Sequence, residues 1–137
     1  MYRLTLDTNN YVSGLEYTGK PAALLQMARD GEVEIAISQP IIDETLRVLR
    51  DKFKWSNREL QEGLAIINAC THRVTPTQIV DVIKEDPSDN RILECAAEDK
   101  SEYIVSGDKD LLRQGTFGTA RILKIAEFLD IAKTCER

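Results

Sequence analysis

Four acidic side chains stand far apart in the sequence, each next to the start or the end of a predicted element, and together they have the chemistry of a metal site. They are Asp7, Glu44, Asp89 and Asp108. Asp7 directly follows the apolar segment Leu4-Thr5-Leu6, where an uncompensated charge is unfavourable. Carboxylates within a few ångströms of one another either raise each other's pKa or bind cations. An all-oxygen, carboxylate-rich site suits Mg²⁺ or Mn²⁺ rather than zinc.

The elements that would hold these acids follow from the order of short apolar segments and longer helical stretches. The predicted strands are residues 4–6, 34–37, 73–74, 103–105 and 121–123. The predicted helices are residues 21–30, 40–51, 56–70, 89–99 and 125–132. Such alternation favours a parallel sheet with helices on both faces, because parallel neighbours need crossover connections. We therefore expect an α/β fold, a three-layer α/β/α sandwich around a central parallel sheet of four to five strands.

All four acids are predicted to meet at one edge of this sheet. Asp7 and Asp108 follow strands at their carboxyl ends, where ligands bind in open α/β sheets. On the predicted helix 40–51, a rotation of 100° per residue puts Glu44 on the border of the inward face. Asp89 precedes an apolar helical stripe and extends its buried face. Three polar neighbours are expected to orient the ligands or metal-bound water: Thr8, Asn9 and Ser106.

Each acid also has a local explanation. Aspartate is favoured at helix N-termini, so Asp89 and Asp110 are candidate N-caps as well. Asp86 precedes a proline and is interpreted as a turn residue. Glu44 taken alone fits a solvated helix edge. The predicted convergence of four acids, rather than any one of them, makes the metal-site hypothesis informative.

The composition is that of one folded domain, which we expect to span residues 1–137. Hydrophobic residues make up 42% of the chain, and 18 basic against 23 acidic side chains give a formal net charge of −5. This acidic balance argues against a generic nucleic-acid coat protein, which is basic overall. The apolar runs are far shorter than the roughly 20 residues of a membrane span, and residues 1–3 lack the layout of a signal peptide. We therefore expect a cytoplasmic protein with no membrane partner.

A basic segment at residues 47–58 offers an approach for a polyanion. Against the single acid Asp51 it holds five basic side chains: Arg47, Arg50, Lys52, Lys54 and Arg58. The local charge is +4, and Trp55 lies within the segment. Two interpretations stay open, a groove in which the indole stacks on single-stranded RNA or a solvated helix end with the indole at a dimer interface. Arg91, Lys109 and Arg113 stand closer to the acids and are candidates for phosphate contacts or plain surface charges.

Together these motifs resemble the PIN domain family, in particular the bacterial and archaeal type that serves as the toxin of VapBC-like toxin-antitoxin pairs. The matching motifs are Leu6-Asp7-Thr8-Asn9, Ser13-Gly14-Leu15, Ser38-Gln39-Pro40 followed by Glu44, Asp86-Pro87-Ser88-Asp89-Asn90-Arg91-Ile92-Leu93-Glu94-Cys95-Ala96, and Val105-Ser106-Gly107-Asp108-Lys109-Asp110-Leu111-Leu112. The resemblance implies a PIN-like sandwich and places the metal-binding quartet at the four acids. It matches Asn9 and Ser106 to the polar residues that flank the quartet, and Asp110 to a further acid whose metal role varies.

The resemblance implies a Mg²⁺- or Mn²⁺-dependent endoribonuclease that leaves a 5′-phosphate and a 3′-hydroxyl. It also implies a homodimer, and a cognate antitoxin that would insert a basic residue among the carboxylates. The residues agree with this chemistry, since no His or Lys stands in a motif as a general base and His72 is interpreted as structural. Proton removal then falls to a metal that lowers the pKa of bound water. In the two-metal form, ions about 3.5–4 Å apart stabilise the attacking and leaving oxygens.

Two other functions stay open. Gly107-Asp108-Lys109-Asp110 resembles the late acidic motif of Mg²⁺-dependent phosphatases of the haloacid dehalogenase kind. Such an enzyme would need Asp-x-Asp after the first strand, and Asn9 occupies the second position. The other alternative is a metal-free PIN-like module that only binds a partner, and the intact quartet argues against it.

Overall fold

The computed structural model describes residues 1–135, and its strands form one sheet. The strands are β1 (Tyr2–Leu6), β2 (Val33–Ile37), β3 (Thr71–Arg73), β4 (Tyr103–Val105), β5 (Thr116–Phe117) and β6 (Ala120–Leu123). They lie in the order β3-β2-β1-β4-β6-β5. The first five strands of this order run parallel, as the alternation of elements predicts, and β5 pairs antiparallel with β6.

Seven helices accompany these strands within the described residues. They are α1 (Thr8–Glu16), α2 (Lys20–Arg29), α3 (Gln39–Asp51), α4 (Asn57–Cys70), α5 (Asp89–Asp99), α6 (Lys109–Gln114) and α7 (Ile125–Cys135). Five of them lie where helical spacing predicts a helix, and the bounds of α5 are the predicted ones. The helices α1 and α6 are absent from the sequence prediction. No helix in the described part of the chain is both long and apolar enough to span a bilayer.

Helices cover both faces of the sheet. On β1, Thr5 Oγ1 lies 3.8 Å from Cys95 Sγ of α5. The ring of Tyr2 packs edge-on against Phe128 of α7, with 5.8 Å between the ring centroids. Because successive residues of a strand point to opposite faces, these contacts place α5 on one face and α7 on the other. The three-layer α/β/α sandwich expected from the sequence is confirmed.

The helix α1 is built from poor helix formers, which explains why the sequence pattern does not reveal it. Asn9, Asn10 and Gly14 all have low intrinsic helix propensity. Capping and packing compensate, since the Asp7 side chain accepts a hydrogen bond from the Asn10 N–H at the helix start. The helix also approaches α2 closely, because a Cβ added at Gly14 would lie 2.7 Å from Leu25 Cδ1. Tertiary context therefore overrides propensity here.

One strand prediction is wrong in detail. The expected strand at residues 73–74 is β3, which begins two residues earlier at the polar Thr71 and His72. The parallel part of the sheet has five strands, within the expected four to five, and the unexpected sixth strand, β5, forms a short hairpin with β6 through a turn at Gly118, whose φ is 59°. A two-residue strand is too short to produce an apolar pattern, and a positive φ is a conformation that glycine adopts readily.

The irregular segment between β3 and α5 is held along α5 by two side chains that lie one helical turn apart. Asn90 accepts the N–H groups of Val82 and Ile83 at 3.0 and 2.9 Å, and its amide donates to the Ile83 carbonyl at 2.8 Å. Glu94 accepts the N–H of Val80 at 2.8 Å. These bonds guide the segment toward the N-terminus of α5, where it enters the edge of the sheet that carries the acids.

We expect the substitution Asn90→Ala to destabilise the protein by about 1–3 kcal/mol, because it leaves buried backbone groups of this segment unpaired. The exposed Asn57, at the start of α4, serves as the control, and Asn57→Ala is expected to change the free energy of unfolding by less than about 0.5 kcal/mol. Urea unfolding followed by circular dichroism measures both. Equal stability of the two variants would show that Asn90 does not anchor the segment.

Candidate metal centre

The acids meet because the order of the strands reverses at β1. From β1 the chain builds outward through β2 and β3, and then crosses back to place β4 on the other side of β1. In open α/β sheets, ligands bind outside the carboxyl ends of the strands at such a reversal. Leu6 of β1 lies opposite Val105 of β4. Asp7 and Ser106 therefore leave the two central strands side by side.

All four predicted acids line one pocket of about 100 Å³ at this edge of the sheet. Beside them the wall contains Thr8, Asn9, Asp86 and Ser88 and two apolar side chains. Within the described residues, no His, Lys, Arg or Cys lines this pocket. The predicted convergence of the acids is thus present in the structure, and the polar lining consists of oxygen-bearing side chains.

Asp7 is buried, with only 4% of the residue exposed, and hydrogen bonds hold both of its carboxylate oxygens. Oδ1 accepts the backbone N–H and the side-chain amide of Asn10, both at 3.0 Å. Oδ2 accepts the hydroxyl of Ser106 at 2.5 Å. Burial raises the pKa of Asp7 above its usual value; the hydrogen bonds from Ser106 and Asn10 lower it, and the charge of Asp108 raises it. The carboxylate is therefore held in one orientation.

Asp108 caps the short helix α6 and shares a hydrogen-bonding partner with Asp7. Its Oδ1 accepts the N–H groups of Asp110 and of the next residue, at 2.8 and 3.2 Å. Its own N–H donates at 2.9 Å to the Ser106 hydroxyl oxygen, the group that also bonds Asp7. Asp110 itself does not line the pocket, and its Oδ1 lies 3.5 Å from Arg113 Nη1.

Glu44 stands on the α3 side of the pocket and is paired with an arginine. Arg47 Nη2 lies 2.6 Å from Glu44 Oε1, and Arg47 Nε donates to Oε2 at 3.2 Å. Asp43 is exposed and accepts a hydrogen bond from Gln39, so Glu44 rather than Asp43 faces the protein, as the helical rotation predicts. The arginine offsets the charge of one of the four acids.

Asp89 begins α5 and is strongly perturbed by its surroundings. Only 8% of the residue is exposed, and its Oδ2 is buried with no hydrogen-bond partner among the described residues. Burial, followed by the negative charges of Asp108, Asp86 and Asp7, raises the pKa of Asp89 from its usual 3.8 to about 8. One carboxylate oxygen from each of Asp86, Asp89 and Asp108 lies within 4.8 Å of the other two.

This donor set fits a small divalent cation. Mg²⁺ and related hard cations prefer carboxylate oxygens. The buried Oδ2 of Asp89 is an acceptor without a donor, and burial together with neighbouring negative charges raises the pKa of both Asp7 and Asp89. A cation at this position would satisfy the acceptor and offset the repulsion.

Asn10 is a residue of the site that the sequence analysis missed. The expected flanking residue was Asn9, which lines the pocket but is exposed, whereas Asn10 is buried. The Asn10 amide bridges Asp7 Oδ1 and the carbonyl of Val105, at 3.0 and 2.8 Å. The missing signal was α1, because a helix that begins at Thr8 puts Asn10 where an N-cap aspartate accepts a hydrogen bond.

Asp86 is a second missed residue, although its interpretation as a turn residue is correct. Its Oδ1 accepts the N–H and the hydroxyl of Ser88 at 3.2 and 2.6 Å. The same turn brings it into the pocket three residues before Asp89. The two acids of the Asp-Pro-Ser-Asp sequence are therefore neighbours in space, a consequence of the turn that the sequence analysis did not draw.

The basic segment 47–58 is less positive in the structure than in the sequence. Its three arginines form the pairs Arg47–Glu44, Arg50–Asp51 and Arg58–Glu62. Two of these acids lie outside the segment, so the local charge of +4 overstates the positive potential. Lys52 and Lys54 are exposed and form no ion pair among the described residues. Exposed ion pairs of this kind are weak, so the arginines can exchange partners.

Trp55 packs within this chain. Its indole N–H donates to Glu16 Oε2 at 2.5 Å. A Cβ added at Gly63 would lie 2.9 Å from Trp55 Cζ3, so the ring lies directly over this glycine of α4. These contacts join the end of α1 to α4 and give the indole a structural role that neither interpretation from the sequence anticipates.

The basic side chains nearer the acids are only partly available. Arg91 Nε lies 2.9 Å from Glu94 Oε1, and Arg91 Nη2 donates to the Val80 carbonyl at 3.1 Å. Arg113 pairs with Asp110. Lys109, at the start of α6, is exposed and forms no ion pair among the described residues. Of the three, Lys109 is thus the side chain that loses no ion pair of its own when it approaches a phosphate.

His72 belongs to a separate polar cluster around Asp99, at the other end of α5. Its Nε2 lies 2.9 Å from Asp99 Oδ1, an oxygen that Arg3 Nη2 also contacts at 2.5 Å. The hydroxyl of Ser101 donates to Asp99 Oδ2 at 2.7 Å. Asp99 lies ten positions along the helix from Asp89, a rise of about 15 Å. The histidine is therefore remote from the pocket, which agrees with its interpretation as structural.

The family model of the PIN domain matches residues 3–110, a range that contains all four acids. The chain therefore belongs to the PIN domain family. A comparison with curated proteins finds no match. Among solved structures, the fold is similar to a chain in the crystal structure of VapBC2 from Rickettsia felis bound to a DNA fragment from its promoter, with 14% identity and a TM-score of 0.61. The match covers 89% of this chain and 98% of that chain.

The two neighbouring asparagines give a direct test of the site geometry. We expect Asn10→Ala to lower the free energy of unfolding by about 1–3 kcal/mol, because the buried Val105 carbonyl and Asp7 carboxylate each lose a donor. We expect Asn9→Ala, at an exposed position, to change it by less than about 0.5 kcal/mol. Urea unfolding in EDTA measures both variants. A larger effect of Asn9→Ala would contradict this arrangement of the site.

The raised pKa of Asp89 predicts a stability that falls as the pH rises. The native state holds a proton on Asp89 up to about pH 8, whereas the unfolded chain releases it near pH 3.8. In EDTA, each pH unit between these values should therefore cost up to about 1.4 kcal/mol. Asp89→Asn removes the contribution of Asp89 to this dependence, while the exposed control Asp43→Asn keeps it.

Urea unfolding at pH 5 and pH 8 tests this expectation. The stability advantage of Asp89→Asn over the unmodified chain should be larger at pH 8 than at pH 5. If the advantage were the same at both pH values, Asp89 would be ionised in the native state throughout this range.

Proposed function

We propose that this PIN domain is a metal-dependent endoribonuclease that hydrolyses phosphodiester bonds in RNA by a two-metal-type mechanism. The observation that carries the proposal is the pocket in which Asp7, Glu44, Asp89 and Asp108 converge around a buried carboxylate oxygen without a donor. PIN domains are generally nucleases, and the family match covers this whole set. Oxygen-only sites of this type suit Mg²⁺ or Mn²⁺.

The four acids would hold the metal, and their neighbours would position them. Ser106 fixes both Asp7 and Asp108 through one hydroxyl group. Thr8 and Asn9 line the pocket, where they can orient ligands or water. Asp110 does not line the pocket and its Oδ1 pairs with Arg113, so it would contribute to metal binding less directly than the four acids.

The chain itself offers little proton-transfer chemistry at this pocket. No histidine or lysine lines it within the described residues. Divalent ions held by the four acids would supply this chemistry, since a bound divalent ion lowers the pKa of water and stabilises negative charge at phosphorus. The part played by the side chains is to keep the carboxylates close together and to hold Asp7 in a fixed orientation.

Basic side chains at the rim would bring the RNA to this acidic edge. Arg47 stands next to the pocket and can move from Glu44 to a phosphate, since the pair is exposed. The other candidates for phosphate contact are Arg50, Lys52, Lys54, Arg58, Arg91 and Lys109. Of these candidates, Arg91 is the least available for a phosphate, because its guanidinium pairs with Glu94 and donates to a backbone carbonyl.

The biological setting we propose is that of a toxin in a toxin-antitoxin pair. The fold resembles a chain of a VapBC2 complex, and the motifs of the sequence resemble the same type of toxin. On this proposal the protein is a single PIN-like domain over residues 1–137, acts in the cytoplasm, forms a homodimer and is inhibited by a cognate antitoxin. A neighbouring reading frame that encodes a small DNA-binding protein would support this setting.

Cleavage of a labelled single-stranded RNA tests the enzymatic part. With Mn²⁺ or Mg²⁺ we expect cleavage that leaves 5′-phosphate and 3′-hydroxyl ends and that stops in EDTA. Asp7→Asn and Asp108→Asn remove groups proposed to contact the metal directly. They should therefore reduce the rate by more than the roughly 10–100-fold that loss of an outer partner costs.

The matched control is the adjacent pair of acids on α3. Glu44→Gln should reduce cleavage strongly, whereas Asp43→Asn, with the same loss of charge on the exposed side, should not. Equal activity of all variants would point to a contaminating nuclease and reject the mechanism. Metal binding without cleavage of any RNA would favour the phosphatase alternative. Neither cleavage nor metal binding would favour the partner-binding module.

A further inference from the structure

Asp86 is placed so that it can do more than shape a turn. Both of its hydrogen bonds, from the N–H and the hydroxyl of Ser88, end on Oδ1. Oδ2 accepts no hydrogen bond among the described residues. The residue is half-buried and lines the same pocket as the four acids. The turn therefore fixes the carboxylate through one oxygen and leaves the other available.

The available carboxylate lies in a geometry that a cation can bridge. One oxygen each from Asp86, Asp89 and Asp108 lies within 4.8 Å of the other two. In an octahedral Mg²⁺ site, neighbouring ligand oxygens are about 2.9 Å apart and opposite ones about 4.1 Å apart, so these oxygens would have to approach one another by up to about 2 Å, a change that side-chain rotation can provide. The buried Oδ2 of Asp89, which accepts no hydrogen bond among the described residues, is a second and independent observation that favours a cation here.

The turn accounts for an acceptor oxygen at position 86, but it does not require an acid there. Asp86 forms no ion pair among the described residues, whereas Asp81, on the same segment, pairs with Lys84 at 2.5 Å. A turn residue needs only an acceptor oxygen, which asparagine supplies equally well. Compared with an asparagine, Asp86 adds a negative charge beside Asp89.

We infer that Asp86 is a fifth metal-ligating carboxylate, which forms one cation position together with Asp89 and Asp108. This inference rests on the proposed function, because it assigns a further ligand to the same metal centre. It distributes the acids between two sides of the pocket. Asp7 and Glu44 lie on the β1 and α3 side, and the Asp86 turn closes the side next to α5.

Titration of Mn²⁺ into the full chain, followed by calorimetry, tests this inference without reference to catalysis. Asp86→Asn keeps an acceptor for Ser88 and removes the charge, and we expect Mn²⁺ affinity to fall about 10–100-fold. Asp81→Asn makes the same change of charge at an exposed position on the same segment, and we expect less than a 3-fold change. Circular dichroism and urea unfolding verify that both variants fold.

Asp86→Glu separates ligation from simple charge. It keeps the charge but moves the carboxylate by one methylene, so a ligand role predicts a loss of affinity close to that of Asp86→Asn. Affinity of Asp86→Glu equal to that of the unmodified chain, or of Asp86→Asn equal to that of Asp81→Asn, would overturn the inference. Those outcomes leave the proposed function intact if Asp108→Asn still abolishes binding. If the unmodified chain does not bind Mn²⁺, both fail together.

Discussion

Repulsion among carboxylates that the fold forces into one small pocket is the constraint on which the rest of the structure depends. Asp7 and Asp89 are both buried, and the pKa of each is raised by burial and by neighbouring acids. A buried charge is costly unless hydrogen bonds or a counter-charge stabilise it. Of the four predicted acids, Glu44 alone has an ion pair among the described residues. The backbone and the polar neighbours must therefore hold the others in place.

Strand ends and helix starts are the parts of an α/β sandwich that can do this. Asp7 and Asp108 cap the helices α1 and α6, so each carboxylate accepts backbone N–H groups that would otherwise lack a partner. Asp89 lies in the first turn of α5, where the helix dipole favours a negative charge. Ser106 joins Asp7 to Asp108 across the register of β1 and β4. Helix starts, rather than cationic side chains, thus support Asp7, Asp89 and Asp108.

The sequence predicted most of this framework, because the signals were long or repeated. The stripe of α5 gave its bounds and the burial of Asp89, and the apolar strands gave the central parallel sheet. The failures share a physical cause, which is that the elements involved are too short or too poor in propensity to produce a pattern and form through capping, turns and packing. The helix α1 lacks propensity and forms through its cap at Asp7 and its packing on α2. The roles of Asn10 and Asp86 in the site depend on that helix and on a turn, so the pattern of the sequence does not indicate them.

The net charge of −5 illustrates the same limit at the level of the whole chain. It disfavours nucleic acid only if charge is spread evenly, whereas here a group of acids is gathered in one pocket. For the basic segment 47–58, the local charge overstates the positive potential, because two of its arginines pair with acids outside the segment, Glu44 and Glu62. A cation bound by the folded state but not by the unfolded chain would stabilise the fold by mass action. The acids that strain the metal-free protein would then link its stability to the presence of that cation.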